Sequence, residues 1–281
     1  MSKTEIYFFS GTGNSLYVAK ELRRRLPQAE LIPIVKLLHQ DTIVSAGETV
    51  GLVFPLHGMT VPVPVRLFLR KVDLRSARYV FAVVTRAGTV SRAFEYVGKR
   101  LRKQDRRLDA GFVINMPHND PKLVDFRVAT KEEMTVLEST AQAQLDSIQE
   151  IVSHERKHRE KDLTGVGFPF IRPIRYLVER LILFAMFLSE RKGVKDYFYT
   201  DAKCTGCGIC ERVCLARKIR LAGGRPVWEE KVKCYMCYTC LNYCPAQAVQ
   251  IKSKWYMKSY TPEKDRYPHP YATVDDIAGQ K

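Results

Sequence analysis

The first 203 residues contain no cysteine, and all eight cysteines of the 281-residue chain lie between Cys204 and Cys244. A disulfide-stapled secreted domain would distribute its cysteines over the fold that they stabilise. We also expect no signal peptide, because the opening MSKTEIYFFS leads directly into a predicted strand. We therefore expect a cytoplasmic protein in a reducing compartment, with its thiols serving as metal ligands.

The sequence has no apolar run long enough to span a bilayer. The most apolar stretch is the eight-residue run Leu181–Leu188, whereas a spanning helix needs about 20 residues. We favour a connecting helix that packs between two domains. The alternative is peripheral membrane contact through residues 171–192, with basic residues facing the lipid headgroups: Arg172, Arg175, Arg191 and Lys192.

Acidic residues are few: 30 Asp and Glu stand against 46 Lys and Arg, which gives a formal charge of +16. The basic residues cluster in three segments, at Arg23–Arg25, Lys99–Arg107 and Arg156–Arg159. These segments are either solvated helix faces or a docking surface for an acidic redox partner or an anionic membrane. No nucleic-acid-binding motif accompanies them, so we expect no nucleic-acid partner.

The first half of the chain alternates between apolar strands and helical patterns. Five strands with crossover helices predict a parallel, doubly wound α/β sheet, and Thr130 with Glu133 predicts a capping box at the start of the last helix. Two domains with separate cores are expected. We divide the chain into an α/β domain (1–158), a helical connector (159–196), a small α+β cysteine domain (197–252) and a tail (253–281) that either wraps the surface or is partly mobile.

The cysteines repeat one spacing twice. The two runs are Cys204-x2-Cys207-x2-Cys210-x3-Cys214 and Cys234-x2-Cys237-x2-Cys240-x3-Cys244-Pro245. This is the bacterial ferredoxin run, in which the fourth cysteine of each run binds the other cluster. We predict two [4Fe–4S] clusters: cluster I on Cys204, Cys207, Cys210 and Cys244, and cluster II on Cys234, Cys237, Cys240 and Cys214.

Structural zinc is the alternative for these thiols. Zinc sites are typically built from two pairs of ligands and do not need a third closely spaced cysteine. One residue departs from the ferredoxin pattern, because Leu215 follows Cys214 where proline is usual. The departure leaves the number of ligands unchanged.

A glycine-rich turn joins the first predicted strand to the first helix, which is where an open α/β sheet binds phosphate. Its residues are Ser10, Gly11, Thr12, Gly13, Asn14 and Ser15. The dinucleotide fingerprint needs a third glycine where Leu16 stands, and a P-loop needs a lysine directly after Gly13. The turn therefore favours a phosphomonoester held by dipoles and hydrogen bonds.

With this turn, residues 5–150 resemble a flavodoxin, and the whole chain resembles the prokaryotic flavodoxin–ferredoxin fusion family. The resemblance implies FMN as the phosphate ligand and the strand order 2-1-3-4-5. It also implies that the flavin ring lies between the loops after the third and fourth strands. Neither loop has a Trp or Tyr, and the implied contact residues are Pro55, His57, Gly58, Thr85, Arg86 and Gly88.

These cofactors predict a redox protein that passes low-potential electrons between two clusters and FMN, and on to a partner. A second hypothesis is an FMN-dependent reductase that acts directly on a small oxidant. A third, less favoured, is a zinc-stabilised basic interaction protein. No nicotinamide fingerprint is present.

Overall fold

The computed structural model describes residues 3–57, 60–87, 92–122, 126–160, 172–191, 197–252 and 260–281. Strands and helices alternate through the first 160 residues, in accord with the periodicity of the sequence. In chain order they are β1 (Thr4–Phe8), α1 (Asn14–Arg25), β2 (Ala29–Pro33), α2 (Ile34–Leu37), β3 (Ile43–Val44), β4 (Thr49–Pro55), α3 (Val63–Lys71), β5 (Val72–Asp73), β6 (Tyr79–Arg86), α4 (Ala93–Leu101), a 3₁₀ turn (Arg102–Gln104), β7 (Ala110–Asn115), α5 (Lys131–Ser153) and β8 (His158–Arg159).

The central sheet is parallel and has the order β2-β1-β4-β6-β7-β8. Its first five strands follow the predicted order 2-1-3-4-5, which is confirmed as flavodoxin-like. The two-residue strand β8 extends the edge beyond the prediction, and β3 pairs with β5 separately. Strand β6 is buried along its whole length, as expected for a strand covered on both faces.

Helix α5 begins at the predicted capping box. The Thr130 side chain accepts a hydrogen bond from the Glu133 N–H, and the Glu133 carboxylate accepts one from the Thr130 N–H. Helix α5 then packs beside α1, while α3 packs beside α4. The carboxyl ends of β1, β4 and β6 are left open for the loops that follow them.

The later part of the chain begins with the connector helix α6 (Arg172–Arg191) and ends with α9 (Val274–Ala278) in the tail. Between them lies a small α+β unit with the elements β9 (Phe198–Thr200), α7 (Ile209–Val213), β10 (Ile219–Ala222), β11 (Arg225–Trp228), α8 (Thr239–Asn242) and β12 (Val249–Ile251). Two antiparallel pairs, β9 with β12 and β10 with β11, frame the cysteine loops. Helices α7 and α8 each begin just before the third cysteine of a run.

The core of the sheet domain extends into the domain junction, while the cysteine domain keeps a smaller core of its own around Phe198, Leu241 and Ile251. The prediction of separate cores therefore holds only in part. Val213 and Leu215 from the cysteine domain, and Ala272 and Ile277 from the tail, join the core of the sheet domain. Leu215 is the residue that departs from the ferredoxin pattern. It is 1% exposed, and an apolar side chain suits the domain contact that it makes.

The apolar run of the connector does not pack between the domains, which corrects that prediction. It lies within α6, and Leu181, Phe184 and Leu188 are among the most exposed large apolar side chains of the protein. Within the described ranges, no helix combines the length and apolar character that a membrane span requires.

The described part of the tail, residues 260–281, packs firmly into the domain junction. Tyr260, Tyr267 and Ile277 are buried, and Thr273 with Asp276 forms a capping box for α9. Lys20 pairs with Asp276 at 2.6 Å, and the ammonium of Lys281 donates to the Glu211 and Cys214 carbonyls. The tail therefore forms an ion pair with the sheet domain and hydrogen bonds with the cysteine domain.

Candidate functional site

The predicted phosphate loop is a buried turn at the N-terminus of α1. Gly13 is the N-cap with a left-handed φ of 107°, and its N–H donates to the Ser10 hydroxyl at 3.1 Å. The Ser15 hydroxyl lies 2.7 Å from the Thr85 hydroxyl, which joins this loop to the end of β6. The Asn14 side-chain amide donates to the Pro117 carbonyl at 3.0 Å.

Several polar groups of this buried loop have no protein partner. Among the described residues, no hydrogen bond uses the backbone N–H groups of Gly11, Thr12, Asn14 or Ser15. The Asn14 Oδ1 atom is likewise buried without a partner. Unpaired N–H groups at the start of a helix form an anion site, so the loop fits the phosphate of a flavin mononucleotide.

The cysteine domain contacts this loop directly. The Thr239 hydroxyl donates to the Gly11 carbonyl at 3.1 Å, and it also donates to the Cys237 Sγ atom at 3.0 Å. A β-carbon at Gly11 would lie 3.0 Å from the Cys237 Cβ atom and closer still to its carbonyl oxygen. Gly11 therefore allows a cysteine ligand and the phosphate loop to meet backbone to backbone.

The tail covers the other side of the loop. The His269 N–H donates to the Thr12 carbonyl at 2.7 Å. Gln280 is fully buried and makes two bonds to Ser10: its Oε1 accepts from the Ser10 N–H at 3.0 Å, and its Nε2 donates to the Ser10 carbonyl at 2.9 Å. A β-carbon at Gly13 would lie within 2.6 Å of both His269 and Ala272.

Removing the Gln280 side chain should loosen this cover. A Gln280→Ala variant leaves the Ser10 N–H and carbonyl buried without partners, a cost of about 2 kcal/mol or more for the docked tail. We expect faster amide exchange at Ser10 and faster proteolysis within residues 260–281. Gln280→Glu keeps the acceptor for the Ser10 N–H but loses the donor, so its effect should differ from that of alanine. Exchange at the wild-type rate in Gln280→Ala would show that this pair of bonds does not hold the tail.

Asn119 is a loop residue whose role the sequence did not reveal. Its amide donates to the Thr12 hydroxyl, and its carbonyl accepts from Asn242 of the cysteine domain at 3.4 Å. It follows β7 at the same edge of the sheet as the phosphate loop. The one sequence feature that could have indicated this role is its position directly after a strand. Asn is also common in ordinary turns, so that position alone does not indicate a site.

The predicted ring loops are only partly within the described residues, because Gly58 and Gly88 lie outside them. His57 pairs with Thr60 through two backbone bonds of 3.0 and 3.1 Å. Burial, with the nearby charges of Arg66 and Lys122, lowers the pKa of His57 to about 3, so the ring is neutral at pH 7. Pro55 and Thr85 are partners across β4 and β6.

An aromatic residue reaches this edge from the cysteine domain. Phe9 contacts His57 edge-on at 5.8 Å and Tyr235 at 6.5 Å. Tyr235 lies between two predicted ligands of cluster II, which is why a search of the two loops alone did not find it. Arg86 is buried, with its Nε atom 3.4 Å from the Asn115 Oδ1 atom, so it does not project into water.

The four predicted ligands of cluster I line one cavity. Cys204, Cys207, Cys210 and Cys244 face it together with Pro245. Burial, with smaller contributions from the thiols of Cys244, Cys207 and Cys204, raises the pKa of Cys210 to about 11. Cys207 is the exposed member, so this site lies at the protein surface.

The four predicted ligands of cluster II also lie together, but deeper. Burial raises the pKa of the Cys240 thiol well above its usual value, with further contributions from Cys214, Cys234 and Cys237. Three bonds reach these sulfur atoms: from the Lys218 N–H to Cys214 at 3.3 Å, from the Met236 N–H to Cys234 at 3.4 Å, and from the Thr239 hydroxyl to Cys237. At cluster I, the Ala248 N–H donates to Cys244 at 3.2 Å.

Lys218 carries a buried positive charge beside cluster II. It is 5% exposed, and its ammonium donates to the Glu229 and Val232 carbonyls. No carboxylate pairs with it in the described part of the chain. An unpaired buried charge is costly, and the negative charge of an iron–sulfur cluster on its thiolates would compensate it.

A site for a single metal ion needs several ligating side chains close together. Within the ranges that the structure describes, no three His, Cys, Asp or Glu side chains are placed to hold one ion. The eight cysteines carry no disulfide.

Comparisons with known proteins give matches for two parts of the chain. Residues 203–252 match the family described as the 4Fe-4S dicluster domain. No curated protein matches the chain. Among solved structures, similar ones include a two-electron reduced flavodoxin from Megasphaera elsdenii, at 16% identity and a TM-score of 0.30 over 50% of this chain and 98% of that one. An azoreductase from Bacillus anthracis is 10% identical, with a TM-score of 0.37, and the match covers 55% of this chain and 100% of that one. A mutant flavodoxin from Pseudomonas aeruginosa is 16% identical, with a TM-score of 0.35, and the match covers 54% of this chain and 99% of that one.

The sheet order, rather than these distant similarities, defines the first domain as flavodoxin-like. The family match defines the second as a 4Fe-4S dicluster domain. The predicted architecture of a flavodoxin–ferredoxin fusion is thus confirmed.

Proposed function

We propose that this protein passes single electrons from an external carrier through two [4Fe–4S] clusters to FMN, and from FMN to a partner. The clusters supply one-electron chemistry, and FMN supplies exchange between one and two electrons. One observation carries the proposal: Cys237 and Thr239 of the cluster-binding segment touch Gly11 of the phosphate loop. Two cofactor sites in direct contact are what an electron conduit requires.

The proposed ligand sets follow the grouping of the thiols. Cluster I would be held by Cys204, Cys207, Cys210 and Cys244, which line one cavity. Cluster II would be held by Cys214, Cys234, Cys237 and Cys240, whose thiols influence one another. Each set takes its fourth member from the other run, as the ferredoxin spacing requires.

The phosphate loop would hold FMN through unpaired backbone donors, since no cation is fixed there. The ring would lie near His57 and Thr85, with Tyr235 at the same edge. The neutral ring of His57 adds no charge to this edge at pH 7.

The two cluster sites differ in a way that supports a direction of electron flow. Cluster I is at the surface, where Cys207 is exposed to an external carrier. Cluster II lies beside the phosphate loop, where bonds from Lys218, Met236 and Thr239 of the described residues reach its sulfur atoms and the buried charge of Lys218 lies nearby. Hydrogen bonds and positive charge raise the reduction potential of a cluster. Electrons entering at cluster I would therefore move towards cluster II and FMN.

A matched pair of cysteine variants tests the proposal. Anaerobically prepared wild type should hold about eight irons and eight sulfides per chain, with one FMN. Cys207→Ser should damage cluster I and slow entry of electrons, whereas Cys237→Ser should damage cluster II and stop reduction of the flavin. The readouts are iron content, electron paramagnetic resonance and anaerobic bleaching of the flavin.

Three results would contradict this proposal. Stoichiometric zinc in place of iron would exclude the clusters. Flavin reduction at the wild-type rate in Cys237→Ser would take cluster II off the route. Steady turnover of a small oxidant, with no need of a protein acceptor, would favour a reductase instead.

A further inference from the structure

Helix α6 presents an apolar stripe to solvent. The stripe consists of Ile174, Leu177, Leu181, Phe184 and Leu188, which are between 41% and 62% exposed. Their spacing of three, four, three and four residues places them along one side of a 20-residue helix. Single exposed apolar residues are ordinary, whereas five in a continuous line mark an interaction surface.

The other side of α6 is held against the sheet domain. The Arg66 guanidinium lies over the Phe187 ring at 4.7 Å, and that of Arg92 lies over the Tyr176 ring at 4.6 Å. Arg66 is in α3 and Arg92 precedes α4, so α6 crosses near the loops that follow β4 and β6. The apolar stripe thus faces outward beside the proposed flavin edge.

The charge of the protein selects among possible occupants of this stripe. By sequence, α6 carries four arginines (Arg172, Arg175, Arg180 and Arg191) against two glutamates (Glu179 and Glu190), and the chain has a formal charge of +16. A second copy would bring equal positive charges together. An anionic lipid surface offers the opposite charge and an apolar layer for the stripe.

We propose that α6 is a membrane-surface helix that binds anionic bilayers. It lies flat, with the stripe at the boundary between headgroups and acyl chains and with Arg180 among the headgroups. A helix of 20 residues is about 30 Å long, but its charged residues exclude a spanning orientation. This inference rests on the exposed stripe and does not depend on the proposed electron route.

Vesicle flotation of the intact, cofactor-loaded protein tests the proposal. We expect binding to vesicles of phosphatidylcholine with about 30% phosphatidylglycerol, and weak binding to pure phosphatidylcholine. Leu181→Gln with Phe184→Gln should reduce the binding about tenfold or more. Val136→Gln is the matched control, because Val136 is an equally exposed apolar residue on α5, and it should bind as wild type does.

A second variant separates the role of charge from that of folding. Arg180→Glu leaves the stripe intact and should weaken binding to anionic vesicles only. The circular dichroism spectrum and the iron content should be the same in every variant as in wild type. If the double variant loses either one, its weaker binding could reflect unfolding, and the result for Arg180→Glu then decides. Equal vesicle binding by wild type and both variants would overturn the proposal. A dimer of the lipid-free protein that the double variant abolishes would overturn it too, in favour of a second copy.

Discussion

A Gly11→Val variant is expected to keep its iron but to lose rapid electron transfer from the clusters to the flavin. The added β-carbon would collide with the backbone carbonyl of Cys237, and backbone cannot move aside as the end of a flexible side chain can. The cluster-binding segment must therefore separate from the phosphate loop. We expect flavin bleaching by a reduced ferredoxin-type donor to slow roughly tenfold or more in anaerobic stopped flow.

Gly98→Ala is the matched control for that variant. A β-carbon at Gly98 meets only the end of the Arg102 side chain, at 3.4 Å, so iron, flavin and transfer rate should match wild type. Transfer at the wild-type rate in Gly11→Val would mean that the contact between Gly11 and Cys237 is not on the electron path. Loss of iron from Gly11→Val would mean instead that the cysteine domain itself, and not only its docking, has failed.

Lys218→Met should lower the reduction potential of cluster II and leave that of cluster I nearly unchanged. Lys218 is buried beside Cys214 and Cys234 without a carboxylate partner among the described residues. Two unit charges about 10 Å apart interact by roughly 1.7 kcal/mol at an effective dielectric of about 20, equal to roughly 70 mV for one electron. We expect a fall of several tens of millivolts, measured by redox titration with electron paramagnetic resonance.

Lys231→Met is the control for charge alone. Lys231 is exposed, and solvent screens its charge. The reduction potentials of both clusters should therefore be the same as in wild type. If Lys218→Met leaves both cluster potentials unchanged, the buried ammonium does not set the direction of electron flow. If cluster I moves instead of cluster II, the proposed ligand sets are assigned to the wrong sites.

The structural features that could be predicted from the sequence are those that depend on a short, local pattern. The cysteine spacing, the turn from Ser10 to Ser15 and the capping box at Thr130 each span fewer than about 12 residues, and each obeys a rule of backbone geometry. The strand order came from the resemblance to flavodoxins. No pattern in the sequence linked Gln280 to Ser10, because their bonds join residues 270 positions apart.

The connector shows why hydrophobicity alone misled the prediction. Eight apolar residues are costly to expose, so burial between the domains was the simplest expectation. That junction was already filled by Leu215, Tyr243 and Ile277, which come from separate short segments and form no long apolar run. Only the tertiary structure shows which surface was left for Leu181 and Phe184.

The cover that the tail forms over the phosphate loop has a consequence for biosynthesis. The last strand of the central sheet ends at Arg159, while His269 and Gln280 lie more than 100 residues further along the chain. At about 5–20 residues per second, a ribosome takes roughly 5–20 s to reach them. During that interval the nascent flavodoxin-like domain would present its phosphate loop uncovered, and the proposed FMN could bind before the tail docks. Cofactor loading would thus be easiest on the ribosome and slowest in the finished protein.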